Sequence, residues 1–146
     1  ADVNQVKDNG VTPLFVAAEK GNIKAMELLI VAGADVNQPD DDGFTPLFIA
    51  AENDHVEAMQ LLIGAGADVN QASSYEITPL HAAIQGGHIG AVDLLLGPTE
   101  DINLPLNSGS MALLVAAYYS QVEMMRFLID RGADALFFTP PVWTTG

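Results

Sequence analysis

The chain contains no cysteine. That excludes disulfide frameworks, thiolate metal sites and cysteine nucleophiles together, and it fits a cytoplasmic or other intracellular, reducing compartment. Positive charge is nearly as scarce. Five Lys and Arg stand against 19 Asp and Glu, a net charge of −14, and the five are dispersed as Lys7, Lys20, Lys24, Arg126 and Arg131. Phosphate backbones and anionic lipid surfaces are met by clustered Lys and Arg, so the composition argues against nucleic acid and membrane surfaces as partners. It favours a basic protein surface instead. Long apolar runs are also missing: none approaches the ~18 residues that a membrane-spanning helix needs, and nothing in the 146 residues reads as a signal sequence. Disorder is a poor reading, because 49% of the residues are hydrophobic and only 16% charged.

What the sequence does have is a phrase that returns. ADVNQ stands at 1–5 and 34–38, and ADVN with a following Gln at 67–71. TPL recurs at 12–14, 45–47 and 78–80, and LLI at 28–30 and 61–63 becomes LLL at 94–96 and FLI at 127–129. Residues 1–33 and 34–66 share 21 identities in 33 positions, without insertion or deletion. A fixed period of this length predicts a solenoid of stacked units.

Each unit reads as hairpin, helix, turn, helix. Thr12 is placed to cap a helix and Pro13 to begin it, where a missing N–H costs nothing. A first helix is expected over 14–19, ended by Gly21, and a second over 23–31 with Ile23, Met26, Leu29 and Ile30 on one stripe, ended by Gly33. Asp8-Asn9-Gly10 and Asp41-Asp42-Gly43 are tight-turn signals. Helices this short are marginal alone, so each unit must bury its stripe against its neighbours.

These residues together, with T-P-L-H complete at 78–81, a Gly before the second helix and G-A-D-V-N after it, resemble the ankyrin repeat. The resemblance spans essentially the whole chain. It implies one all-α solenoid over 1–146, with units at 7–39, 40–72, 73–105 and 106–138 and partial units at 1–6 and 139–146. The departures are specific. The family's His is present only as His81; Phe15, Phe48 and Leu114 replace it elsewhere. Glu76 takes the hairpin Gly, Asp54 and Ser120 the helix-ending Gly, and SMAL at 110–113 the cap and Pro of the fourth unit. That unit is expected to be the least regular. Residues 1–11 read as a finger without helices before it, and 137–146 as a finger cut before its helix, so an excerpt of a longer array is expected. The ends should expose an apolar stripe, named here as Leu113, Val115 and Met124, and associate weakly head to tail.

No constellation of catalytic residues emerges. In Asp40-Asp41-Asp42-Gly43 a calcium loop would place Ile49 where a bidentate Glu is required, so a hairpin turn is the better reading. His55 and His88, 33 residues apart, occupy the slot that opens the second helix and read as structural, as does His81. Neither a phosphate-binding Gly-Lys motif nor a nucleophile elbow is present, and no cofactor, metal or catalytic residue is expected.

The resemblance implies a protein-binding module, with recognition by the finger tips and the exposed side of the first helices. Positions that vary between units against a fixed framework mark that surface within the one chain. In unit one they are Asp8, Asn9, Val11, Glu19 and Lys20; in unit two, Asp41, Asp42, Phe44, Glu52 and Asn53. Unit three supplies Ser74, Tyr75, Ile77, Gln85 and Gly86; unit four, Asn107, Ser108, Ser110, Tyr118 and Tyr119; the last finger, Trp143. The first half is rich in carboxylates and the second in aromatics, which fits a partner protein with a basic and partly apolar surface. Of the two adjacent tyrosines Tyr119 is expected to be the anchor, because it takes the exposed slot of Lys20 and Asn53 just before the turn. The rival readings are a substrate-docking arm of an enzyme whose active domain lies elsewhere, and a structural spacer or engineered repeat protein.

Overall fold

In the computed structural model the described residues are 2–97 and 109–131, with the backbone alone at 109–111. Thr12, Thr45 and Thr78 are in extended backbone, and each Oγ1 accepts the N–H three residues on, from Phe15, Phe48 and His81, at 3.1, 3.1 and 3.3 Å. The following Pro then starts α1 (Pro13–Lys20), α3 (Pro46–Glu52) and α5 (Pro79–Gln85). The second helices are α2 (Ile23–Val31), α4 (Val56–Gly64), α6 (Ile89–Leu96) and α8 (Val122–Asp130), and α7 (Gly109–Tyr118) is the first helix of unit four. These helices, and no strand, make up the regular structure of the described residues.

Unit four departs as its sequence implies. Met111 and Ala112 stand where the others carry Thr and Pro, and α7 runs back to Gly109, ahead of the register at which α1, α3 and α5 begin. A residue before Pro is driven out of helical backbone; with no Pro, that stop is gone. The missing glycines, by contrast, leave the turns intact. Asp54 and Ser120 hold φ of 60° and 57°, the left-handed conformation of Gly21 and Gly87, and Glu76 holds 62° in the third finger. The stack imposes these turns on side chains that resist them by about 1–2 kcal/mol each.

The fingers are minimal hairpins. Lys7 N–H donates to Val11 C=O at 3.0 Å, Asp40 to Phe44 at 2.8 Å and Ser73 to Ile77 at 2.9 Å. They are joined to one another, Asp41 N–H donating to Asn9 C=O and Ser74 N–H to Asp42 C=O.

Packing is between units. Ala18, Ala51, Ala83 and Ala116 are fully buried in the first-helix row, as are Met26, Met59 and Val92 in the second. The first helices contact one another more densely than the second helices do, because alanine at the contact lets axes approach. Tighter packing in one row curves a stacked array towards that row, which makes the first-helix face the inner one.

Side chains tie each unit to the next. Asn4 Oδ1 accepts the Asp35 N–H at 2.8 Å while its Nδ2 donates to Gly33 C=O at 3.5 Å; Asn37 repeats this with Asp68 and Gly66 at 2.8 and 3.4 Å. In the other direction, His55 Nε2 donates to Glu19 C=O and His88 Nε2 to Glu52 C=O, both at 3.1 Å, and Gln121 Nε2 to Gln85 C=O at 2.9 Å. A carbonyl only accepts, which fixes the tautomer of both histidines. The repeated Asn of the opening phrase is thus an inter-unit clamp, and the His slot its counterpart.

Candidate partner-binding surface

The inner side has a floor and two rims. Half-buried Val16 and buried Ile49, Ala82 and Val115 occupy equivalent positions one helical turn before the exposed C-terminal residues of their helices. Those C-terminal residues form one rim: Glu19 and Lys20 on α1, Glu52 and Asn53 at the end of α3, Gln85 and Gly86 at the end of α5, and Tyr118 and Tyr119 at the end of α7, all exposed. Asp8, Asn9, Asp41, Asp42, Ser74 and Tyr75 are exposed on the finger tips that form the other.

Not all of these side chains are free to meet a partner. Asn9 Oδ1 accepts the N–H of Val11, and Asn53 Nδ2 donates to Glu19 C=O. Val11, Phe44 and Ile77 are half-buried, and Val11 and Phe44 pack on the core. Phe44 stacks on Phe48 with centroids 4.4 Å apart and on Tyr75 at 6.0 Å, and the Tyr75 hydroxyl donates to Asp42 at 3.4 Å. The carboxylate and aromatic halves of the varying set therefore touch at the second and third fingers. Asp40 is spent locally: one oxygen accepts the N–H groups of Asp42 and Phe44, both at 2.9 Å. This is the chemistry of a turn, and among the described residues no group of three or more His, Asp or Glu could hold a metal ion. Ser110 lies in the first turn of α7; Asn107, Ser108 and Trp143 fall outside the described residues.

Two expectations need correcting. Tyr119 is exposed, as its slot implies, but at 40% against 81% for Tyr118, whose ring it meets edge-on with centroids 4.9 Å apart, so the more open ring is Tyr118 at the slot of Glu19 and Glu52. Leu113, Val115 and Met124 are buried rather than exposed, since Met124 takes the inward slot that Ala91 fills one unit earlier. The exposed apolar residues of α8 are Val122 and Ile129, with Met125 half-buried beside them. One residue was missed altogether. Leu114 occupies the slot where Phe15 and Phe48 are buried, yet it is 55% exposed, one helical turn before Tyr118. Its departure from aromatic or His at that slot was the available signal.

Charge is distributed unevenly. Residues 40–72 hold seven carboxylates, Asp40, Asp41, Asp42, Glu52, Asp54, Glu57 and Asp68, and no Lys or Arg, which is half of the net charge. Unit one, with three Lys against four carboxylates in 7–39, is close to neutral. At the centre of the array, His81 is held below its ordinary pKa by burial, and His88 Nδ1 lies 3.8 Å from Asp54.

The family model described as ankyrin repeats (3 copies) matches residues 1–73 and 66–137. The chain belongs to the ankyrin repeat family. Ankyrin repeats are generally protein–protein interaction modules and typically non-catalytic. No individual curated protein matches the chain. Among the described residues of this ankyrin array no helix is long and apolar enough to cross a membrane.

Proposed function

We propose that this ankyrin array binds another protein across its inner face, through finger tips and first-helix ends, without chemistry of its own. The partner presents a basic and partly apolar surface. One observation carries the reading: seven carboxylates without a cation in residues 40–72 lie two repeats from an exposed tyrosine pair. An unopposed acidic field steers a basic partner, and exposed aromatics are the residues that most often anchor an interface.

The two halves should respond differently to substitution. Reversing Asp41 and Asp42 to Lys should mainly slow association, and the loss should shrink as salt rises. Tyr118→Ala should mainly speed dissociation, costing about 1–3 kcal/mol with little salt dependence. Capture from a source lysate by the parent protein, followed by binding kinetics of the captured partner with these variants at two salt concentrations, tests both. Equal binding of the Asp variants at low salt would show that the acidic region is only a solvated face. Weak head-to-tail self-association belongs to the same reading, through Val122, Met125 and Ile129; light scattering that stays monomeric at high concentration removes it.

A further inference from the structure

The rim formed by the first helices changes character along the array at known intervals. At equivalent positions near the C-terminal ends of α1, α3, α5 and α7 stand Glu19, Glu52, Gln85 and Tyr118. Glu52 belongs to the unit that has no cation, whereas Glu19 is followed directly by Lys20. Gln85 and Gly86 are neutral. Tyr118 continues into an exposed apolar patch with Leu114 one turn before it and Tyr119 packed against its ring. The backbone between these stations is already engaged, because the carbonyls of Glu19, Glu52 and Gln85 accept from His55, His88 and Gln121. A ligand must therefore be read by side chains, not by strand addition to the rim.

From this geometry we infer that the inner face is a two-station ruler: it takes one extended segment of a partner that places an apolar side chain on Leu114 and Tyr118 and a basic pair beside Glu52. The inference rests on the protein-binding reading above and names the partner's pattern. Glu52 and Tyr118 occupy equivalent positions two helices apart in a row of packed helices. Packed axes lie about 8–10 Å apart, so the stations are about 16–20 Å apart. An extended chain advances about 3.3 Å per residue, so the basic pair and the apolar residue should be separated by about five or six residues. A longer basic run gains nothing, because the next unit brings Lys7, Lys20 and Lys24.

The test uses the chain as it stands and three fluorescein-labelled peptides of identical composition: one Trp, two adjacent Arg and a Gly-Ser remainder. One separates Trp from the Arg pair by six residues, one by a single residue, and the third is the six-residue peptide in the reverse chain direction. Fluorescence anisotropy should show one of the two six-residue peptides binding at least tenfold tighter than the one-residue peptide. Tyr118→Ala should weaken it about tenfold at every salt concentration. Glu52→Gln should weaken it several-fold in low salt and much less in high salt. The two losses should multiply, since sites this far apart act independently. Equal affinity of all three peptides, with the variants still weakening them, overturns the ruler and leaves the binding surface standing. Binding that no variant affects overturns both. Absence of binding by every peptide at millimolar concentration overturns the ruler.

Discussion

Replacing Asn37 by Ala should cut the clamp between the first and second units. Asn37 Oδ1 accepts the Asp68 N–H at 2.8 Å and Nδ2 donates to Gly66 C=O at 3.4 Å. A net hydrogen bond contributes about 0.5–1.5 kcal/mol, and the long second bond sits at the low end of that range. Both partner groups belong to residues with solvent access, so water replaces part of what is lost, and the expected cost is about 1–2 kcal/mol. With a urea dependence of about 1–3 kcal/mol per molar, the midpoint should fall by about 0.5–1 M. Asn37→Asp separates the two bonds. It keeps an acceptor for Asp68 N–H but loses the donor and sets a carboxylate against the Gly66 carbonyl, so it should not recover the parent midpoint. Because repeat arrays unfold in nearest-neighbour units, hydrogen exchange of the Asp68 amide should accelerate in both variants more than that of amides within α1. A stability loss below about 0.3 kcal/mol, or no local change at Asp68, would refute the clamp.

Three further outcomes follow from single positions. Thr45→Ala removes the buried cap that accepts the Phe48 N–H and should cost about 1–2 kcal/mol in urea unfolding, whereas Thr45→Ser should retain most of it. Glu76→Gly should stabilise the third finger by about 0.5–1 kcal/mol, because the φ of 62° suits glycine and opposes a side chain; a loss of stability would contradict that account. Burial lowers the His81 pKa in the fold, so between the lowered value and the ordinary 6.5 the unfolded chain binds the proton and the folded chain does not. Its contribution is therefore intact above 6.5 and lost as pH falls through and below that value; His81→Phe, which copies Phe15 and Phe48 at the same slot, should flatten that part of the pH profile of the melting temperature.

Local chemistry was readable because it acts within a few residues. Thr-Pro caps, left-handed turns after the first helix and a strict 33-residue register each depend on short-range sterics or hydrogen bonding, so α1 to α6, the fingers and the ankyrin family could be inferred from spacing and resemblance. The irregular start of unit four was visible in the absent Thr and Pro, although not that α7 would run back to Gly109.

What only the stacked structure decided depends on neighbours about 30–36 positions away. The Asn of the repeated phrase and the His of the second-helix slot find their partners in adjoining units, and a single unit's sequence does not say which carbonyl will lie opposite. Exposure is likewise a property of the array. Tyr118 and Tyr119 are adjacent letters, yet one is twice as exposed as the other; Met124 and Met125 are adjacent, yet one is fully buried and the other only half-buried against the core. Leu114 sits in a slot that is buried in the first two units and open here. Periodicity assigns each residue a position in its unit, but solvent exposure is set by whatever packs across from that position, and that is fixed only when the units stack.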